Sequence, residues 1–360
     1  MTAGAGGGRV TVVIGSAGRR LYLIEWFRDA LARLDVDGEV VATEHDPTSA
    51  SFGFADRGVV MPAYSDAAYA PAMLDLFERA RPALFVSVND YELQLLSEGL
   101  ADRLRATGCA VAGLSRAAQE QASDKYLMAR LLGRAGVAVP RTELGSRWEA
   151  LVAEDGAAGT QYVVKHRFGS GSSGLRLTDR EGLAAAVDEA SGSATDIHGR
   201  PALRARDAVV VQRRLMGQEF GVDGVFGLGR ETGVLRGTLA RRKMRMRSGE
   251  TDKAVTVDPA PFAPVVARLG AALRPAGPVD LDLIRDRDGV LRVIDVNPRF
   301  GGGYPFMHVA GADAPTYLLA AALGRRADPA LLRYQPGVVG AKYESIRRTG
   351  ALVERATGGA

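Results

Sequence analysis

The segment VIDVNPRF, residues 293–300, says more about the architecture of this chain than any other part of its sequence. Apolar and polar residues alternate along it, so a β-strand here places Asp295, Asn297 and Arg299 on one face. A carboxylate, an amide oxygen and a guanidinium then point the same way, just before the glycines at 301–303. The segment therefore predicts a strand that ends in a polar site.

An acidic strand precedes this segment. In VDLDLI, residues 279–284, Asp280 and Asp282 alternate with apolar residues, and the turn-forming residues 287–289 predict a hairpin between the two strands. Acids on neighbouring strands repel each other unless a cation lies between them, and oxygen ligands suit Mg²⁺ carried by nucleotide phosphates. We favour a metal site over a solvated hairpin face, because solvated faces rarely end in NPRF and three glycines.

A glycine- and serine-rich loop follows another predicted strand. The strand YVVK, residues 162–165, ends in Lys165, and the loop comprises Gly169, Ser170, Gly171, Ser172, Ser173 and Gly174. Glycine permits positive φ, successive amides form an anion-binding nest, and the lysine adds charge. The loop predicts a phosphate cradle, although it is no Walker A motif because the lysine precedes it. A flexible surface hairpin is the alternative.

A strand that exits into a turn spans residues 210–219. Its backbone groups are placed to meet the edge of an adenine, and Glu219 beyond the turn is placed to accept hydrogen bonds from ribose hydroxyls. A plain strand-turn-strand with an exposed glutamate is the alternative.

The 360 residues exceed the roughly 250 to 300 at which single cores stop growing, so several modules are expected. Alternating strands and helices predict an open parallel α/β domain at 1–118. This domain is followed by a connecting helix at 119–138 and a small α+β module at 139–211. A larger catalytic domain with a C-terminal tail is expected at 212–360. The first strand enters the turn of residues 15–20, whose G-x-x-G spacing fits dinucleotide binding poorly.

Composition excludes several classes. Hydrophobic residues make up 46% and charged residues 24% of the chain, as in ordinary globular proteins, and the net charge of +4 predicts no nucleic-acid partner. No apolar run suits a membrane span or a signal core, so we expect a cytoplasmic protein without a membrane partner. The single cysteine, Cys109, excludes an intrachain disulfide and is expected to be buried, and the histidines lack metal-ligand spacing.

Taken together, residues 10–325 resemble the ATP-grasp superfamily, in the branch of carbamoyl phosphate synthetase domains, biotin carboxylase and D-alanine–D-alanine ligase. The resemblance implies an N-terminal pre-ATP-grasp domain, a small lid subdomain and a larger catalytic subdomain. It also implies ATP and Mg²⁺ (or Mn²⁺) as cofactors.

Motif by motif, the resemblance also implies roles for individual residues. The family's phosphate-binding lysines match Lys125 and Lys165, and its adenine hinge matches Gln212 to Leu215, with backbone contacts at Arg213 and Leu215. Its ribose acid matches Glu219, and its metal ligands match Asp282, Asp295 and Asn297. The arginine that stabilises the phosphoryl group matches Arg299. Three positions depart from the family's pattern: Gln212 replaces a common acid, Asp295 the usual glutamate, and Asp280 an arginine of peptide-forming relatives.

A basic run accompanies these motifs. Arg241, Lys243, Arg245 and Arg247 alternate along a strand-like segment and are expected on one face. Within the family's frame this face meets the active site, where cations neutralise the γ-phosphate and an acidic substrate. A solvated or nucleic-acid-binding strip is the alternative.

The implied activity joins a small-molecule carboxylate to an amine through an acyl phosphate, with release of ADP and phosphate, and amino-acid-like small molecules are the expected substrates. Activation of bicarbonate or carbamate and non-catalytic ATP binding are the alternatives, and a homodimer is left open. At the strand ends of the first domain, five polar residues are expected to help choose the substrates: Arg19, Arg20, Asn89, Asp90 and Glu92.

Overall fold

Three β-sheets organise the chain in a computed structural model that describes residues 9–155, 159–169, 174–247, 249–346 and 353–355. The strands are β1 (Val10–Gly15), β2 (Gly38–Glu44), β3 (Arg57–Val60), β4 (Leu84–Ser87), β5 (Ala110–Val111), β6 (Thr142–Leu144), β7 (Tyr162–His166), β8 (Arg176–Thr178), β9 (Val209–Arg213), β10 (Gly217–Phe226), β11 (Leu235–Arg247), β12 (Glu250–Val257), β13 (Gly277–Asp286), β14 (Leu291–Asn297), β15 (Val339–Ala341) and β16 (Val353–Arg355).

Helices connect and cover these sheets. They are α1 (Leu21–Arg33), α2 (Tyr69–Ala80), α3 (Asp90–Leu95), α4 (Ala101–Ala106), α5 (Arg116–Ser123), α6 (Lys125–Arg134), α7 (Trp148–Asp155), α8 (Leu183–Ser191), α9 (Ala263–Leu273), α10 (Tyr304–Val309) and α11 (Ala314–Ala322). Within the described ranges, none of them combines the length and apolar character that crossing a bilayer requires.

The first sheet is parallel, with the strand order β16-β3-β2-β1-β4-β5. Its central strands are apolar on both faces because helices cover both. Val12 and Ile14 pack with Phe27 of α1, whereas Val13 packs with Phe77 of α2 on the opposite face. The predicted parallel α/β fold of this part of the chain is confirmed.

A four-stranded antiparallel sheet has the order β6-β9-β7-β8. Helices α7 and α8 cover it, and Leu151, Val164 and Val187 form its fully buried core. This sheet and its helices form the α+β module that the sequence predicts.

The third sheet is antiparallel and has the order β14-β13-β10-β11-β12-β15. As predicted, β13 and β14 form a hairpin, in which Asp282 faces Asp295 and Asp280 faces Asn297. Helix α9 packs against the sheet through Val266 and Leu269. This register places the acids of the hairpin next to each other.

The capping residue of α6 joins the smaller sheet to this helix. Asp124 accepts hydrogen bonds from the amides of Tyr126 and Leu127, so the helix begins at Lys125. Its two carboxylate oxygens also accept from Arg167, at 2.8 and 2.6 Å, just beyond β7. The cap and the ion pair thereby fix Lys125 beside the end of β7.

Candidate active site

Two lysines converge on the acidic hairpin from the side of the smaller sheet. Lys125 donates from Nζ to the carbonyl of Gly169 at 2.6 Å, and Lys165 donates to the carbonyl of Ile294 in β14 at 3.3 Å. Burial lowers the pKa of Lys165 to about 8, Asp295 opposes this shift, and the charge of Lys125 adds to it. The cations predicted to hold phosphate are therefore neighbours of a predicted metal ligand.

The glycine-rich loop begins and ends with left-handed backbone. Gly169 has φ +85° and Gly174 has φ +65°, conformations that favour glycine. A Cβ at Gly174 would lie 2.4 Å from the ring of His166. The predicted phosphate contacts at Ser170, Gly171, Ser172 and Ser173 lie outside the described residues.

The predicted adenine hinge lies between β9 and β10. The buried Gln212 side chain donates to Thr142 Oγ1 at 2.9 Å, and Arg213 ends β9 opposite Tyr162. Among the described residues, no hydrogen bond involves the amide or the carbonyl of Leu215. That backbone is thus available to a ligand.

The predicted metal ligands lie on adjacent strands. Asp282 accepts from Lys243 Nζ at 2.7 Å, and Asp295 Oδ2 accepts from Asn297 at 3.4 Å. Burial raises the pKa of Asp282, Lys243 opposes the shift, and Asp295 contributes to it. Two carboxylates and an amide oxygen form an oxygen-only donor set that fits Mg²⁺. No group of three or more His, Cys, Asp or Glu side chains suited to a metal occurs in the described ranges.

Glu219, the predicted ribose acid, lies near these ligands. Its carboxylate is 4.0 Å from Lys243 Nζ, and its side chain is about half exposed. Lys243 therefore connects the predicted ribose and metal positions.

Arg299 is held by the parallel α/β domain. Its Nε donates to Asp90 Oδ1 at 2.7 Å and its Nη2 to Asp90 Oδ2 at 3.1 Å. Nη2 also donates to Asn297 Oδ1, and Nη1 donates to the Phe300 carbonyl, each at 3.3 Å. Burial opposes the charged form, but Asp90 raises the pKa of Arg299 above its usual value. Within the described residues, four of the five guanidinium N–H groups are thus engaged.

A buried triad of charged side chains explains why two of the three residues at 301–303 must be glycine. Arg241, 1% exposed, donates to Asp223 and, at 2.8 Å, to Asp280. A Cβ at Gly303 would lie 2.1 Å from Arg241 Nε, and one at Gly301 would lie 2.2 Å from Asp280 Cγ. Burial raises the pKa of Asp223, and the charge of Arg241 opposes this shift. Asp223 is not among the predicted site residues, although a lone acid in an apolar strand signals a paired charge.

The predicted basic run divides into an inner and an outer pair. Arg241 and Lys243 are buried, whereas Arg245 and Arg247 are exposed, and the register between β11 and β12 shifts just after Lys243. Arg245 pairs with Asp252, and Arg247 lies 3.8 Å from Glu344. The catalytic role of the outer arginines stays a prediction.

One buried acid, Glu92, contacts the glycine turn that follows β1. Glu92 is fully buried and accepts hydrogen bonds from the hydroxyls of Ser16, Ser87 and Tyr69. A Cβ at Gly15 would lie 2.5 Å from its carboxylate. Burial raises the pKa of Glu92, although these hydrogen bonds oppose the shift. The carboxylate thus holds the turn in place from below, so it supports the site without lining it.

The single cysteine lies away from these residues. Cys109 is buried, as predicted, and burial raises the pKa of its thiol to about 12. A nucleophilic role is disfavoured because the reactive thiolate is scarce at neutral pH.

Two family models match this sequence. "PylC-like, N-terminal domain" matches residues 12–112, and "ATP-grasp domain" matches residues 122–303. Among curated proteins, no relative matches the sequence.

Solved structures resemble the fold over most of the chain. The biotin carboxylase domain of Hydrogenobacter thermophilus 2-oxoglutarate carboxylase, a dimer with MgADP, ADP and bicarbonate, has a TM-score of 0.68 and 17% identity, covering 90% of this chain and 72% of that one. Staphylococcus aureus N5-carboxyaminoimidazole synthetase has a TM-score of 0.64 and 14% identity, and the match covers 90% of this chain and 80% of that one. Bacillus licheniformis L-amino acid ligase has a TM-score of 0.64 and 17% identity, and the match covers 91% of this chain and 78% of that one. At these identities the likeness concerns the fold alone.

Proposed function

The chain belongs to the ATP-grasp family of ATP-dependent ligases, and from this premise we propose that it joins a small-molecule carboxylate to an amine through an acyl phosphate. The observation that carries the proposal is the convergence of charge at β14. Lys165 reaches this strand from the smaller sheet, and Asp282 and Asp295 lie there at paired positions. The arrangement suits a nucleotide whose phosphates need both lysines and a divalent cation.

In this proposal ATP lies between the two antiparallel sheets. Lys125 and Lys165 bind its phosphates, and the backbone of Leu215 meets the adenine edge. Asp282, Asp295 and Asn297 would hold Mg²⁺, which would supply positive charge that offsets the phosphates.

The chemistry requires two displacements. A carboxylate oxygen of the substrate attacks the γ-phosphorus, and the bond from that phosphorus to ADP breaks, which yields an acyl phosphate. The amine then attacks the acyl carbon and loses a proton, and inorganic phosphate leaves through a tetrahedral intermediate. Arg299 stabilises the charge that develops on the oxygens, so catalysis depends on positioning and electrostatics and needs no side-chain nucleophile.

A substrate screen tests the proposal. The protein is incubated with ATP, Mg²⁺ and a panel of amino acids and small carboxylates, while ADP and phosphate release are followed and products are identified by mass spectrometry. We expect ADP release to require a carboxylate and amide formation to require an amine. Turnover with bicarbonate in place of every other carboxylate would favour carboxyphosphate chemistry. Absence of turnover with all of these acids would contradict the proposal.

A further inference from the structure

Beside Arg299, a second arginine approaches the loop that follows β14. Arg20 donates from Nη1 to the Phe300 carbonyl at 3.4 Å, and Arg299 donates to the same oxygen at 3.3 Å. Both guanidinium groups thus converge on one carbonyl, although Arg20 precedes α1 and Arg299 follows β14. Burial raises the pKa of the neighbouring Tyr22 hydroxyl, and the charge of Arg20 opposes this shift.

Opposite Arg20 lies a carboxylate. The position that a Cβ at Gly302 would occupy is 3.6 Å from Arg20 Nη1 and 3.5 Å from the Glu250 carboxylate. The two opposite charges therefore face one small gap, which exists because residue 302 has no side chain. Glu250 is about half exposed, so the gap is open to a ligand.

Glu250 is ionised at neutral pH. Burial acts against its charge, but the ion pair with Lys342 at 2.8 Å and the charges of Arg20 and Arg19 hold the pKa of Glu250 below its usual value. A carboxylate in this state attracts an ammonium group.

We propose, on the basis of the function proposed above, that the acid substrate is an α-amino acid, with its carboxylate beside Arg20 and Arg299 and its ammonium group beside Glu250. An α-amino acid carries opposite charges on adjacent groups, which matches an arginine and a glutamate that flank one gap. Bicarbonate and simple carboxylic acids carry no ammonium group and leave Glu250 paired with Lys342 alone. The ammonium next to Glu250 keeps its charge and is not the attacking amine.

Hydroxylamine isolates the acid side of the reaction, because it captures acyl phosphates as hydroxamates whatever the natural amine. We would measure hydroxamate and ADP formation for each common amino acid, in both enantiomers, and for its analogue without the α-amino group. A charge-assisted hydrogen bond predicts a preference of about tenfold to a hundredfold for the amino acid. Glu250→Gln should reduce this preference to within about threefold, whereas Arg20→Gln should lower kcat/KM for both members of a pair.

Two further variants sharpen the test. Gly302→Ala should fold, since its Cβ makes ordinary contacts and the φ of Gly302 is not positive, but the methyl group fills the gap and should raise KM for the amino acid. Glu120→Gln, an exposed glutamate on α5, should leave the preference unchanged.

The outcomes separate this inference from the proposed function. Equal turnover of amino acids and their deaminated analogues, or an unchanged preference in Glu250→Gln, would overturn the inference and leave the ligase proposal intact. Absence of turnover with every acid would overturn the proposed function. In that case calorimetric titration of the same amino acids in the presence of ADP and Mg²⁺ still tests the inference. Equal binding of amino acids and their deaminated analogues, or binding unchanged by Glu250→Gln, would refute it.

Discussion

Replacing Arg299 with lysine separates nucleotide binding from chemistry. The substitution keeps the positive charge but removes the planar fork, which now donates to Asp90, Asn297 and the Phe300 carbonyl. A lysine has a single nitrogen with three donors, so it cannot span these acceptors and also reach a phosphoryl group. The variant therefore loses preorganised geometry rather than charge.

The expected size of the effect follows from this hydrogen-bond inventory. In the proposed mechanism the fifth N–H of Arg299 donates to a phosphoryl oxygen, and removing one preorganised donor from a transition state costs about a hundredfold to a thousandfold in kcat. This corresponds to about 2.7 to 4 kcal/mol. ATP binding should change little, because Lys125 and Lys165 are expected to hold the phosphates in the ground state.

The assay measures both quantities on the same protein. ADP release at saturating ATP gives kcat, and calorimetric titration gives the Kd for ATP. Asp90→Asn is the matched control, since it keeps the guanidinium and weakens only its anchor, and it should lose less activity than Arg299→Lys. Lys165→Ala should show the reverse pattern, with weaker ATP binding.

One result would refute this reasoning. If Arg299→Lys raised the Kd for ATP while kcat at saturation stayed at the wild-type value, Arg299 would bind nucleotide in the ground state. The proposed stabilisation of the phosphoryl transfer would then be wrong.

Three further predictions concern pH and motion. The pKa of Lys165 is about 8, so the free protein loses this charge above that pH and its Kd for ATP should rise there; a Kd independent of pH, or the same rise in Lys165→Arg, would contradict this. The pKa of Glu92 is raised, so its contribution to stability is fully present below the usual carboxyl pKa and is lost as pH rises through the folded value. Urea unfolding of Glu92→Gln should therefore show stability that increases relative to wild type as pH rises, and a constant difference would argue against it. Residues 139–211 should act as a lid whose amide hydrogen exchange slows when a nonhydrolysable ATP analogue binds, and equal exchange rates would count against a lid.

Local patterns predicted much of the fold. The alternation at 279–284 and 293–297 indicated the β13–β14 hairpin, because buried faces impose a period of two on strand sequences. The apolar run before Gly15 indicated β1 and the helix after it. Such features depend on neighbours in sequence, so one chain suffices to predict them.

Other elements carry no such local signal. Strand β12 contains Asp252, which is buried because Arg245 pairs with it, and its polar sequence does not indicate a strand. Likewise, 209 positions separate Arg299 from Asp90, and no spacing rule connects them. The second contact forms where the loop after β14 meets the start of α3, and no local pattern encodes that meeting.

The bond between Asp90 and Arg299 limits how freely relatives of this chain can be recombined. A chimera that exchanges the N-terminal domain would keep the ATP-binding sheets intact but would replace the acid that anchors a residue beside the proposed phosphoryl site. A donor domain without a carboxylate at the start of α3 would leave a buried guanidinium unpaired. Successful recombination should therefore depend on that single position more than on overall similarity, and specificity could be exchanged only between domains that share it.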